Sequence, residues 1–95
     1  MAQVNLPRSL LVLFPTAERR STVEATTVAE VIDRLEERWP GMRARICDAG
    51  PTIREHINIF VDGDRADLDT PVGPQSTVHV IPAVSGGAGA SEERR

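Results

Sequence analysis

Apolar positions fall along this chain in two patterns, a short continuous run and longer periodic stretches. The run is Leu10, Leu11, Val12, Leu13 and Phe14, with no polar interruption. Such a run suits a strand buried on both faces, and so a central place in a sheet. The polar segment 15–20 connects it to a weakly alternating stretch, 21–25, where Val23 sits between Thr22 and Glu24. This stretch reads as a second strand, paired with the first as a hairpin.

A helix is the best-marked element. Thr27 followed by Glu30 is a capping box, in which the threonine hydroxyl takes the amide three residues on. Val28, Val31, Ile32, Leu35 and Trp39 recur at helical spacing as one apolar stripe, with Trp39 capping the core. Glu30 and Arg34 stand four apart in the favourable order for an ion pair, and Pro40-Gly41 ends the element. Residues 42–51 read as irregular, with Gly50-Pro51 as a breaker. Ile53, Ile57, Ile59 and Val61 then mark a half-buried strand, alternating with Arg54, His56, Asn58 and Phe60 and interrupted at Glu55. Asp62-Gly63 signals a turn. The polar segment 64–73 is anchored by Leu68 and Val72. Residues 77–81 form the last strand, and Pro82 ends its ladder or puts it on an edge. The order strand, strand, helix, strand, strand, with first and last strands central, predicts an α+β fold. It is a β-grasp: a mixed four- to five-stranded sheet packed on one main helix. Residues 1–8 read as an N-terminal segment, 9–85 as the domain, 86–87 as a di-glycine and 88–95 as a flexible extension.

Composition narrows the function classes. An apolar content of 40% and a charged content of 26% are ordinary for one globular domain. A net charge of −3 argues against sequence-independent nucleic-acid binding, which needs a basic footprint. No apolar run reaches membrane-spanning length. Arg8 ahead of residues 10–14 hints at a signal peptide, but the run is too short and no small-x-small cleavage site follows. Cys47 is the single cysteine, so no internal disulfide or four-cysteine cluster can form, which fits a cytoplasmic location. All 11 basic residues are arginines, so lysine-linked chains of this protein cannot form.

The candidate chemistry is concentrated at Gly86-Gly87, after the strand-like stretch 76–85. Paired glycines outside a tight turn mark backbone that must pass through a narrow space. Phe60, His79 and Ile81 share the exposed sheet face if Ile59, Val61, Val78 and Val80 face the helix. With Pro82 they make a candidate docking patch, set against the plainer alternative of scattered surface apolar residues. His56, His79 and Cys47 match no zinc spacing. Asp62, Asp64, Asp67 and Asp69 lack the sixth-position glycine and bidentate glutamate of a calcium loop, and read as a solvated acidic loop that complements basic residues on a partner. Cys47 has no histidine partner close in sequence and reads as a structural thiol. No metal site, phosphate loop or nucleophile–base arrangement is visible, and no enzyme is expected.

Residues 76–87, with Ser76-Thr77, alternating apolars around His79 and then Gly86-Gly87, resemble the last strand and tail of ubiquitin-like proteins. The ending Pro82-Ala83-Val84-Ser85-Gly86-Gly87 more closely resembles the ThiS/MoaD family of sulfur carriers. The resemblance spans residues 9–87 by element order, with Leu68-Asp69-Thr70-Pro71-Val72 and the Asp62-Gly63 turn as further specific parts. The long segment 41–57 is similar to that of actinobacterial cysteine-biosynthetic carriers rather than the shorter molybdopterin subunits.

The resemblance implies a carrier that binds no cofactor itself. An adenylating activating enzyme uses ATP on the terminal glycine carboxylate, and sulfur then displaces AMP to leave a thiocarboxylate. That group delivers sulfur to an acceptor enzyme in cysteine, molybdopterin, thiamin or sulfur-containing natural-product synthesis. Gly87 would hold the sulfur, and Val84, Ser85, Gly86 and Gly87 would thread the narrow channel. Residues 88–95 depart from the family pattern. They imply cleavage between Gly87 and Ala88, the work of a JAMM-type metalloprotease in related carriers. Two alternatives stand beside this: a protein modifier conjugated through Gly87, and a non-covalent interaction module.

Overall fold

A computed structural model describes residues 1–48 and 52–82. The chain begins with a strand, β1 (Ala2–Asn5), followed by a short helix, α1 (Arg8–Leu13). Strand β2 (Arg20–Val23) leads into the main helix, α2 (Val28–Arg38), and a second short helix, α3 (Met42–Ile46). A two-residue ribbon, β3 (Cys47–Asp48) with β4 (Thr52–Ile53), precedes the β5 (Ile57–Val61) and β6 (Asp64–Ala66) hairpin, and β7 (Thr77–Pro82) closes the sheet.

The main sheet has five strands in the order β2-β1-β7-β5-β6. β1 and β7 run parallel at its centre, and the other pairs are antiparallel. The core lies between this sheet and α2. Val28, Val31, Ile32 and Leu35 of α2 meet Val4, Val23, Ile59, Val78 and Val80 of the sheet, while Met42 and Ile46 of α3 close one end. Trp39 and Leu68 are half-buried against this core, and Val72 is buried within it.

The first expected strand is misplaced. Residues 10–14 do not form a strand; most of them lie in α1, where Leu10 is buried, Leu11 and Phe14 are half-buried, and Val12 and Leu13 are 71% and 49% exposed. Pro7 precedes the helix in an extended conformation, and the Phe14 amide donates to the Leu10 carbonyl. A five-residue apolar run has no periodicity to separate strand from helix. The true central strand carries the period-two signal, with Ala2 and Val4 buried and Gln3 and Asn5 on the other face. The sheet therefore starts at Ala2, and the expected domain boundary at residue 9 falls inside α1. Three smaller readings also change. Residues 42–48 are ordered as α3 and β3, and residues 64–66 form β6. Thr52 and Ile53 pair with β3 instead of continuing β5.

Both ends of α2 are fastened by side chains. Thr27 Oγ1 accepts from the Glu30 amide at 3.2 Å, as the capping box requires. The reciprocal bond is displaced by one residue: Glu30 Oε1 accepts from the Thr26 amide at 2.7 Å and the Thr26 hydroxyl at 2.8 Å. Glu30 is thus engaged away from Arg34, which pairs with Glu37 at 3.4 Å, so the expected Glu30–Arg34 bridge is not made. The Val28 and Ala29 amides donate to the Thr70 and Leu68 carbonyls, so the 68–72 segment satisfies donors that no helical turn can reach. At the other end, Gly41 turns the chain at φ 102°, a left-handed value that favours glycine. Glu36 there accepts from the Gly41 and Arg43 amides.

Three carboxylates are held below their usual range by such bonds. The Thr26 amide and then its hydroxyl act on Glu30, the Arg43 and Gly41 amides on Glu36, and the Thr77 amide on Asp62. A depressed folded-state value means that the stabilisation is present above the unfolded value and lost as pH falls through the folded one. The melting temperature is therefore expected to drop on acidification below about pH 4, where free carboxylates titrate. Glu36→Gln should flatten that fall in a pH series of thermal melts; an unchanged profile would contradict the assignment.

Candidate functional site

The exposed face of the sheet is assembled by register. Asn5 of β1 stands opposite Arg20 of β2 and opposite His79 of β7, His79 opposite Phe60 of β5, and Phe60 opposite Arg65 of β6. One row, Arg20–Asn5–His79–Phe60–Arg65, thus crosses all five strands and carries no carboxylate. Asn5 Nδ2 lies 3.4 Å from His79 Nδ1, which accepts when the ring proton is on Nε2. Asn58 and Ile81 pair in the next row, where Ile81 is 44% exposed. Phe60 is half-buried on this face, outside the group packed on the core.

Phe60, His79 and Ile81 therefore share one surface, as the alternation of β5 and β7 predicts. Pro82 pairs with Ile57 as the last residue of β7. Val84, Ser85, Gly86, Gly87 and Ala88 lie outside the described residues.

The Asp62-Gly63 turn has positive φ at both residues, 52° and 91°, which matches the right-handed twist of a two-residue hairpin. Asp62 Oδ1 accepts from the Thr77 amide at 2.9 Å, and the Asp62 amide donates to the Thr77 carbonyl. This carboxylate thereby ties the hairpin to the start of β7. Asp64, Asp67 and Asp69 are solvent-exposed beside it.

Other candidates do not converge. Among the described residues no three His, Cys, Asp or Glu side chains are grouped to hold a metal. Cys47 is half-buried, and burial pushes its thiol up, which disfavours the nucleophilic thiolate. No helix among the described residues is long and apolar enough to cross a membrane. Sequence reasoning missed Arg8, Arg19 and Arg20, which line a groove with His79 at the edge of this face. Their clustering depends on the pairing of β1 with both β2 and β7, and no local spacing signals it.

Residues 12–87 match the ThiS family. The chain belongs to the ThiS family of sulfur carriers. Members of this ThiS family are non-catalytic carrier proteins, so the chain is not an enzyme. The matched span ends at Gly87 and leaves residues 88–95 outside it. None of the curated proteins matches the chain. Among solved structures, the chain is similar to one from the BexX/CysO complex of Amycolatopsis orientalis. The identity is 27% and the TM-score 0.81, over 92% of this chain and 100% of that one. Mycobacterium tuberculosis CysO shares its fold at 23% identity and a TM-score of 0.78, over 88% of this chain and 100% of that one. SAMP1 of Haloferax volcanii is similar at 25% identity and a TM-score of 0.72, over 90% of this chain and 98% of that one. This ThiS-family chain thus has the ubiquitin-like β-grasp fold, with a mixed five-stranded sheet and one main helix.

Proposed function

We propose that this carrier works through Gly87, exposed by proteolysis and charged as a thiocarboxylate. The supporting observation is that the family match stops at Gly87 while residues 88–95 continue beyond it. In the longer chain the Gly87 carbonyl belongs to an amide. Hydrolysis after Gly87, by a zinc metalloprotease of the JAMM type, releases a carboxylate. That carboxylate attacks the α-phosphorus of ATP on an activating enzyme and expels pyrophosphate. A sulfur nucleophile, sulfide or an enzyme persulfide, then attacks the acyl carbon and AMP leaves; with a persulfide, a second thiol attacks the enzyme-side sulfur of the resulting acyl disulfide, expelling the thiocarboxylate and leaving a disulfide.

The carrier's own residues supply a handle and a docking face. Four extended residues span about 13 Å at roughly 3.3 Å each. Val84, Ser85, Gly86 and Gly87 are therefore long enough to put a carboxyl group into a partner's active site while the body stays outside. Glycine at the last two positions lets the backbone pass where a Cβ would collide. Phe60, His79 and Ile81 form the surface that meets the activating enzyme and then the sulfur acceptor; Pro82, expected with them, falls on the opposite face of β7, opposite the core-packed Ile57. The complex of BexX with CysO is the precedent for a partner that holds such a carrier.

Intact mass of the protein isolated from its host tests this. A species lacking residues 88–95, with a companion heavier by one oxygen-to-sulfur exchange, is expected. Full-length protein alone, even with the activating enzyme co-expressed, would overturn the reading. Similarity to SAMP1, a small archaeal modifier protein, favours one second reading: conjugation of Gly87 to lysines of other proteins. That reading predicts isopeptide-linked adducts in host lysates in place of the sulfur-bearing species.

A further inference from the structure

The chain has a net charge of −3, yet one part of its surface is strongly cationic. A groove of about 390 Å³ is lined by Arg8, Arg19, Arg20 and His79, with no carboxylate in its wall. A second groove, of about 360 Å³, shares Arg20 and adds Arg38 and one acid, Glu18. Arg38 is fixed there, since its guanidinium donates to the Thr22 carbonyl of edge strand β2 at 2.7 Å. Arg34, Arg43 and Arg54 are all engaged in ion pairs elsewhere. Arg8, Arg19 and Arg20 pair with no acid among the described residues, and all three are exposed.

The position of this groove follows from the parallel pairing of β1 and β7. Asn5 is in register with His79, so the groove takes in a residue of β7 three positions before Pro82, where that strand ends. The groove therefore lies against β7, the strand after which the chain continues toward Gly86-Gly87. An enzyme that takes in Gly87 approaches the end of this strand, and the groove is a cationic surface on that approach. Arginine forks match carboxylates in a bidentate geometry, and a row of unpaired ones is complementary to an acidic surface. Ile81, two residues beyond His79 on the same face of β7, and Val12, one helical turn beyond Arg8, are exposed apolar side chains on the elements that line the groove.

We infer that the Arg8–Arg19–Arg20–His79 groove docks an acidic segment of the activating enzyme, one that mixes carboxylates with apolar side chains at the mouth of its tail channel. This rests on the carrier reading above. Rim charges of this kind act mainly on association, so their effect is screened as ionic strength rises.

The test is the rate of ATP-dependent charging of the form ending at Gly87 by the host's activating enzyme. That form keeps every strand and helix described. Charge reversal at all three positions (R8E, R19E and R20E together) is expected to lower kcat/KM by roughly 10- to 100-fold at about 0.05 M salt. The deficit should shrink at about 0.5 M salt. Lysine at the same positions should restore most of the rate, and Arg45→Glu, on α3, should match wild type. Thermal melts confirm that the reversed variant is folded; the double substitution Arg8→Ala and Arg20→Ala offers a milder version with the same expected direction. Wild-type rate and salt dependence in both variants would overturn the inference while leaving the carrier reading intact. Failure of the wild-type form to be charged at all would overturn both.

Discussion

Protein cut after Gly87 is expected to be converted to a thiocarboxylate by the activating enzyme, ATP and sulfide, while full-length protein stays unchanged under the same conditions. The reason is the chemistry of the acyl group. Only a free carboxylate has the oxygen nucleophile that takes up AMP, and an amide at Gly87 offers neither that nucleophile nor a comparable leaving group. The contrast should therefore be all-or-none and visible by intact mass within one experiment. Gly86→Val in the cut form should slow charging by about 100-fold, because a side chain in a narrow channel displaces the reacting carboxylate by an ångström or more. Its melting temperature should not change, since Gly86 lies beyond every strand and helix among the described residues. Charging of full-length protein at the rate of the cut form would show that the sulfur is not carried on Gly87.

Val4→Asp is expected to unfold the domain, or to lower its melting temperature by more than about 20 °C, whereas Val12→Asp should leave it nearly unchanged. Val4 has no solvent exposure and pairs with Ser21 on one side and Val78 on the other, at the centre of the sheet. An aspartate there is taken out of water into the apolar core. It must either protonate or remain charged at a cost of several kcal/mol, which is comparable to the whole stability of a domain of this size. Val12 is 71% exposed on α1, so an aspartate there stays hydrated, and a shift within about 0.5 kcal/mol is expected. Circular dichroism melts of the two variants decide between the strand at Ala2–Asn5 and a strand at residues 10–14. The reverse ranking would restore the second.

The contrast between these two valines shows where sequence reading succeeds in this protein and where it fails. Helix α2 is legible because its signals are local and redundant: a Thr27 cap, an apolar stripe from Val28 to Leu35, and a Pro40-Gly41 stop. The turn at Asp62-Gly63 is legible because few residues tolerate positive φ. The alternation of β5 and β7 correctly placed Phe60, His79 and Ile81 on one face. The run 10–14 was the strongest apolar signal near the N-terminus, and it misled. Continuous apolar residues report burial without reporting period, and here only Leu10 of the five is buried while two are exposed.

What the sequence by itself determined is the pattern by which the family is recognised: the di-glycine at 86–87, the residues beyond it, the absence of lysine, and the helix and hairpin that make a β-grasp recognisable. These depend on residue identity and on spacings of a few positions. Tertiary structure alone decided which N-terminal segment enters the sheet, because Ala2–Asn5 and residues 10–14 compete for one central slot beside β7. The same pairing decided the candidate docking surface. Arg8, Arg19 and Arg20 are separated from His79 by some 60 to 70 positions in the chain, and they line one groove only because β1 pairs with β2 on one side and runs parallel to β7 on the other. Charges gathered by sheet register leave no periodic trace along a chain, whereas caps, turns and glycine pairs act within a few residues and do.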